Sequence, residues 1–188
     1  ALSSAASDVY KRQELYDVKS SKRIYAKELT TSGIPFLKVG DVLERINTGE
    51  SHPTVFISEQ KYCELKESGL VPKAGDILVT SRGTIGKCYI LADDDAFYFQ
   101  DGMISWLKAK CDCRLLPEFT AALFAEEGFL KTLDEVTNKT TVTYISLDKL
   151  AGLKVICPPE EKQREYLDFL RQSDKSKYLI ANILDQYK

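Results

Sequence analysis

Leu153-Lys154-Val155-Ile156-Cys157-Pro158-Pro159-Glu160-Glu161-Lys162-Gln163 holds the sharpest change of character in the chain. Residues 153–157 read as a strand, and the two prolines stop it because neither can donate to a ladder. From Glu160 to Lys188 there is no Gly or Pro and charges recur throughout, so the run predicts one long helix. Glu160 and Glu161 fall in its first turn, where the helix dipole favours anions. Tyr166, Leu170, Ser173, Lys177, Ile180, Leu184 and Tyr187 alternate by four and three, a seam with a polar middle. Periodicity leaves two readings open. Tyr166, Leu170, Ile180, Leu184 and Tyr187 pair with another helix, or the helix packs on its own domain.

Working back from the prolines, Ser146 is placed to cap a short helix through Leu150. Pro117 suits a first helical position, and Phe119, Leu123, Phe124 and Leu130 recur at helical spacing, which predicts one amphipathic helix up to about Leu133. Ile77–Thr80 and Lys87–Leu91, joined by Ser81-Arg82-Gly83-Thr84-Ile85-Gly86, read as a β-hairpin. Asp93-Asp94-Asp95 reads as a turn, and Ala96–Phe99 and Ile104–Leu107 are expected to continue the same sheet. Lys61 to Ser68 predicts a short helix stopped by Gly69, and Ile34–Val39 a strand entered through Pro35 and closed by Gly40-Asp41-Val42. The resulting expectation is a mixed α/β domain: a curved mixed β-sheet followed by a long C-terminal coiled-coil helix.

The N-terminus reads differently. Ser3-Ser4-Ala5-Ala6-Ser7-Asp8-Val9-Tyr10-Lys11-Arg12-Gln13 back-translates to a sequence resembling a transposase adapter used to build sequencing libraries. Residues 1–13 are therefore expected to be an adapter-derived or disordered tail. Residues 14–159 are expected to form the domain, truncated at its start, and residues 160–188 the helix.

Composition bounds the function. The chain has 188 residues, 44% of them hydrophobic and 29% charged, enough to bury an ordinary core without staples. No apolar run approaches the roughly 20 residues that cross a bilayer. Cys63, Cys88, Cys111, Cys113 and Cys157 form no Cys-x-x-Cys pair and have only His52 to help them, so no metal site is expected and a reducing, cytoplasmic setting is. The formal net charge of −2 argues against binding nucleic acid through a bulk positive field, so any such binding must be local.

Four segments, in this order, resemble the specificity-subunit family of type I restriction-modification systems: Gly33-Ile34-Pro35-Phe36-Leu37-Lys38-Val39-Gly40-Asp41-Val42; Pro72-Lys73-Ala74-Gly75-Asp76-Ile77-Leu78 with Gly83-Thr84-Ile85-Gly86-Lys87; Tyr144-Ile145-Ser146-Leu147-Asp148-Lys149-Leu150; and Val155 through Gln163. The resemblance implies a DNA target-recognition domain feeding a helix that pairs with an equivalent helix, from a second recognition half or a homodimer. It implies partnership with double-stranded DNA, two methyltransferase subunits and a restriction subunit, no cofactor, and no catalytic residue of its own. The family's usual aromatic opening and short Leu-rich strand are reduced here to Leu15 and Tyr16.

The residues can be weighed for chemistry separately. Cys157-Pro158-Pro159-Glu160 lacks both the amide and the ring that an adenine methyltransferase needs to hold a flipped base, and Gly83-Thr84-Ile85-Gly86 lacks dinucleotide-loop spacing. His52 has no Ser or Cys motif beside it. Recognition of DNA needs donors for phosphates and forked or amide side chains for base edges, carried on loops. The candidates are Lys22, Arg23, Arg45, Asn47, Arg82, Thr84, Lys87, Gln100, Asn138, Lys139, Thr140 and Thr141. Arg82, Asn47 and Gln100 are expected to read bases; Lys22, Lys87 and Lys139 are expected to position phosphates. The alternatives are a protein-interaction scaffold whose helix makes the main contact, and the recognition domain of a fused restriction-methylation enzyme.

Overall fold

A computed structural model describes residues 8–11, 15–93, 95–136 and 143–185. Its central layer is a four-stranded sheet in the order β2 (Tyr16–Ser20), β9 (Ile104–Ala109), β6 (Ile77–Thr80) and β7 (Cys88–Ile90), every pair antiparallel. All four residues of β6 are buried, because both faces of the sheet are covered. Ile77 and Val79 point into one core with Leu107, Phe119, Phe124 and Leu150. Leu78, on the opposite face, packs with Trp106, Phe97, Leu37 and Val42. The period-two alternation of a strand thus serves two cores at once.

A second sheet runs β3 (Leu29–Thr30), β5 (Phe56–Ile57), β4 (Ile34–Leu37) and β8 (Tyr98–Phe99), and its β4–β8 pair is parallel. Tyr98–Phe99 therefore does not continue the hairpin sheet, contrary to the sequence expectation. Phe36 and Tyr98 face one core with Ile57 and Leu65, while Leu37 and Phe99 face the other, so β4 and β8 bridge the two layers. The fold class is mixed α/β, as expected.

Helix α1 (Val39–Thr48) occupies residues read as a strand end and loop. Asp41 accepts from the backbone N–H of Lys38 at 2.7 Å, and Gly49 closes the helix with φ 85°. Helix α2 (Glu59–Glu67) matches its expected place, capped by Ser58. The single helix expected after Pro117 is two, α3 (Pro117–Ala125) and α4 (Glu127–Val136), broken at Glu126, whose ψ of 133° is extended. The break lets Phe129 meet Phe124 edge-on with centroids 5.0 Å apart. Ser146 caps α5 (Leu147–Gly152), accepting from the Lys149 N–H, as its hydroxyl predicts.

Strand β10 (Lys154–Cys157) ends at the prolines, and α6 (Glu160–Asp185) follows. Residues Asp8–Lys11 form β1, antiparallel to β10 from Asp8↔Cys157 to Lys11↔Lys154. They lie within the segment expected to be a tail; an open strand edge offers ladder partners to any extended backbone of suitable register.

The first turns of α6 lie on α3. Gln163, wholly buried, accepts from the Leu116 N–H at 2.8 Å and donates to the carbonyls of Arg114 at 2.8 Å and Pro158 at 2.9 Å. Tyr166 packs edge-on against Phe119 and donates its hydroxyl to Glu126. Burial, then that bond, push its phenol up to about 12. Tyr166 was expected in an interhelical seam; its ring is instead taken up by its own domain, as is Leu167. Leu170 is half-buried and Phe169 exposed. Ile180 and Leu184 lie on α6, but their side chains, with Tyr187, fall outside the described residues.

Candidate nucleic-acid interface

Strand directions decide which loops meet. Antiparallel pairing of Ser20 with Ser105 and of Thr80 with Ile104 puts the ends of β2 and β6 beside the start of β9, and Val79↔Cys88 puts the start of β7 there too. Lys22 and Arg23 after β2, Arg82 through Lys87 after β6, and Gln100 through Met103 before β9 therefore share one end of the central sheet. Side chain and backbone knit them together. The Ser81 N–H donates to the Met103 carbonyl at 2.9 Å, the Gly102 N–H to Ser20 Oγ at 3.1 Å, and the Lys22 N–H to the Tyr98 hydroxyl at 2.8 Å. Underneath, the Ser81 and Ser105 hydroxyls share a buried hydrogen bond of 2.6 Å.

The loop after β6 is held rigidly. The Gly86 N–H donates to the Thr80 carbonyl at 2.9 Å and the Lys87 N–H to Thr80 Oγ1 at 3.0 Å. Gly86 has φ 85°, a conformation that favours glycine, and a Cβ there would crowd the Leu133 side chain of α4 at 3.0 Å. Gly83 also has positive φ, 76°, with nothing near it, leaving its backbone open to solvent. Thr143-Tyr144-Ile145 lies alongside as a short antiparallel bridge, Tyr144 opposite Arg82.

Electrostatics sort the candidates. Lys22, Arg82 and Lys87 are exposed and, among the described residues, have no carboxylate partner. Gln100 is half-buried beside them and Thr84 is exposed in the same loop as Arg82. Arg23 is at this end too, but Asp101 lies 2.8 Å from its Nε and raises its pKa, chiefly through that hydrogen bond. The overall charge of −2 therefore hides a local excess of cations.

Two candidates lie elsewhere. Arg45 is on α1, not a loop, and its guanidinium is 2.7 Å from Asp95 and stacked over Phe97 and Tyr89, with centroids 5.0 and 5.7 Å away. Its side chain is only 19% exposed, so it is a packing residue at the far end of β7 from Lys87 and is withdrawn from the reading surface. Asn47, exposed on the last turn of α1, has no hydrogen bond to the loop cluster among the described residues. Asn138, Lys139, Thr140 and Thr141 lie outside the described residues, in the segment between α4 and Thr143.

Asp101, Tyr98 and Tyr144 were missed by sequence reasoning. Arg23 and Asp101 are 78 positions apart, and no local spacing announces such a pair. Among the described residues no His, Cys, Asp and Glu cluster could hold a metal, and no disulfide joins the cysteines.

A family model described as the type I restriction modification DNA specificity domain matches residues 6–187. The chain belongs to that family. This specificity domain is 29% identical over 171 residues to a Haemophilus influenzae protein provisionally named a type I restriction enzyme specificity subunit, covering 89% of this chain and 40% of that one. It is also 29% identical over 175 residues to the type I restriction enzyme MjaVIII specificity subunit of Methanocaldococcus jannaschii, covering 89% of this chain and 39% of that one. The chain thus spans about two-fifths of the length of these relatives. Among solved structures, the HsdS subunit from Thermoanaerobacter tengcongensis superposes with a TM-score of 0.63 at 16% identity, over 94% of this chain and 39% of that one. The type I restriction-modification S subunit from M. genitalium gives 0.58 at 14% identity, over 93% and 41%. At such identities these two establish likeness of fold. A specificity domain that joins loops from three strand ends matches what DNA recognition requires: donors held still by a sheet.

Proposed function

We propose that this specificity domain is one target-recognition half of a type I specificity subunit, reading DNA sequence with the loops at the Ser20, Thr80 and Ile104 end of the central sheet. The observation that carries the reading is the convergence there of Lys22, Arg82, Lys87 and Gln100, three of them cations without a carboxylate partner among the described residues. Lys22 and Lys87 suit phosphates; Arg82 suits a guanine edge and Gln100 an adenine edge, each by paired hydrogen bonds. Helix α6, beyond its anchored first turns, serves as the spacer that pairs with the helix of a second recognition half or a second copy. Methyltransferase subunits carry out adenine methylation, a restriction subunit cleaves, and the complex works in the cytoplasm. No helix among the described residues is long and apolar enough to cross a membrane.

Fluorescence anisotropy of duplex DNA with the assembled methyltransferase complex, at two salt concentrations, tests this. Phosphate contacts predict a steep loss of affinity with salt, and Lys22→Ala and Lys87→Ala should each lower the log–log slope by about 1. A salt-independent or absent response would mean that the domain acts as a scaffold and touches no DNA.

A further inference from the structure

The bridge between Arg82 and Tyr144 has a geometry that fixes more than the backbone. The Gly83 N–H donates to the Thr143 carbonyl and the Ile145 N–H to the Ser81 carbonyl, both at 2.9 Å. Those bonds flank Arg82 and Tyr144 without joining them, which defines a non-hydrogen-bonded antiparallel pair. Such pairs bring Cα atoms to about 4.5 Å and their side chains closer than any other cross-strand pair, on the same face. The alternation confirms which face. Ser81 and Ile145, one residue away on each strand, are each 4% exposed and point into the domain, so Arg82 and Tyr144 point out. Tyr144 is 37% exposed, with its ring at the surface.

We infer that Tyr144 is a specificity-determining positioning residue: its ring stands beside Arg82 on this ribbon and holds the guanidinium in the orientation that reads one base pair. The inference rests on the proposed DNA recognition by Arg82. A lone arginine on a loop has many rotamers, and a planar fork discriminates between bases only when its plane is fixed. The described residues offer Arg82 no carboxylate to fix it, in contrast to Asp101 for Arg23 and Asp95 for Arg45. An aromatic ring provides a wall against which a guanidinium stacks without spending its hydrogen-bond donors, which stay free for the base. Gly83, with no side chain, leaves the approach to the pair open.

The test presents a randomised duplex library to the methyltransferase complex and sequences the retained DNA. Wild type should enrich one half-site. Arg82→Ala should flatten the preference at one base pair about tenfold, the scale of one lost bidentate contact. Tyr144→Ala should flatten the same base pair and leave the others, the double variant should lose no more than Arg82→Ala, and Tyr144→Phe should keep the preference because the ring is retained. Tyr144→Leu, which keeps apolar bulk in the bridge, should behave as Tyr144→Ala and guards against a folding effect. The inference is overturned if Tyr144→Ala and Tyr144→Leu leave that preference intact, if they weaken all sequences equally, or if Tyr144→Phe loses as much as Tyr144→Ala. In each of those cases an enriched wild-type half-site leaves DNA recognition standing. No enrichment by wild type overturns both.

Discussion

Arg45 and Arg82 carry the same side chain into opposite surroundings. The guanidinium of Arg45 lies over two rings with Asp95 at 2.7 Å, and the Tyr89 hydroxyl donates to the same carboxylate, so the cation is neutralised and largely covered. Removing one member of such a pair strands the other, which typically costs about 3 kcal/mol. Asp95→Ala should therefore lower unfolding stability in urea by about 3 kcal/mol and leave the salt dependence of DNA binding unchanged; an unaltered midpoint would show the cluster to be incidental. Burial and its bond to Asp95 also raise the Tyr89 phenol above its ordinary value. His52, the sole histidine, donates its Nδ1–H to Glu44 at 3.0 Å, and that hydrogen bond raises the imidazole pKa while lowering that of Glu44. Since the folded value lies above the unfolded one, the contact stabilises fully below pH 6.5 or so and is lost as pH rises through the raised value. A proton NMR titration should place the His52 midpoint above about 6.5, and Glu44→Gln should return it there; a wild-type midpoint at or below that value contradicts the ion pair.

At the scale of elements, Gln163 ties the start of α6 to the domain through three hydrogen bonds, none of which water can replace at a wholly buried site. Gln163→Leu leaves one N–H and two carbonyls unsatisfied and should destabilise by about 2–4 kcal/mol, read from thermal or urea unfolding. A loss under about 0.5 kcal/mol would mean that the helix start is loosely held. The seam along α6 is thereby divided. Tyr166 and Leu167 belong to the intramolecular contact, and the proposed pairing with another helix would fall to Ile180 and Leu184 further along. Ile180→Asn with Leu184→Asn should abolish helix pairing, measured as mass in solution, with the melting temperature of the domain unchanged. Tyr166→Asn should do the reverse. A four-three repeat states only that one face is apolar, and its first member, Tyr166, packs with the neighbouring Leu167 on the domain itself.

At the scale of the molecule, the net charge of −2 and the proposed role are reconciled by distribution. Exposed acids pair with Lys and Arg along the surface of α6, as in Glu160–Arg164 and Asp168–Arg171, while at the loop end of the central sheet Lys22, Arg82 and Lys87 have no carboxylate partner among the described residues. Surface pairs of that kind add little stability, but they offset the cations of α6 with neighbouring acids. Raising the net charge elsewhere should therefore matter little: Glu160→Gln with Asp168→Asn should leave the salt slope of duplex binding within about 0.5 of wild type, whereas Lys22→Ala with Lys87→Ala should reduce it by about 2. Equal effects from both doubles would mean that binding follows total charge.

The local features were legible in the sequence because each is dictated within a few residues. Pro158-Pro159 ends β10, Ser146 caps α5, the glycine-bearing loop joins β6 to β7, and the absence of Gly and Pro after Glu160 sustains α6. Where local signals were ambiguous the reading failed: Val39–Thr48 carries a Gly at its second position and reads as a strand end until Asp41 is seen capping Lys38. What only the tertiary structure decided is which candidate cations remain free. Arg45 meets Asp95 across 50 positions and Arg23 meets Asp101 across 78, whereas Arg82, bridged through its backbone to Tyr144, has no carboxylate partner among the described residues. Charge pairing acts through space at a few ångströms, and the distance between two side chains is set by strand order and direction, which no window of sequence contains.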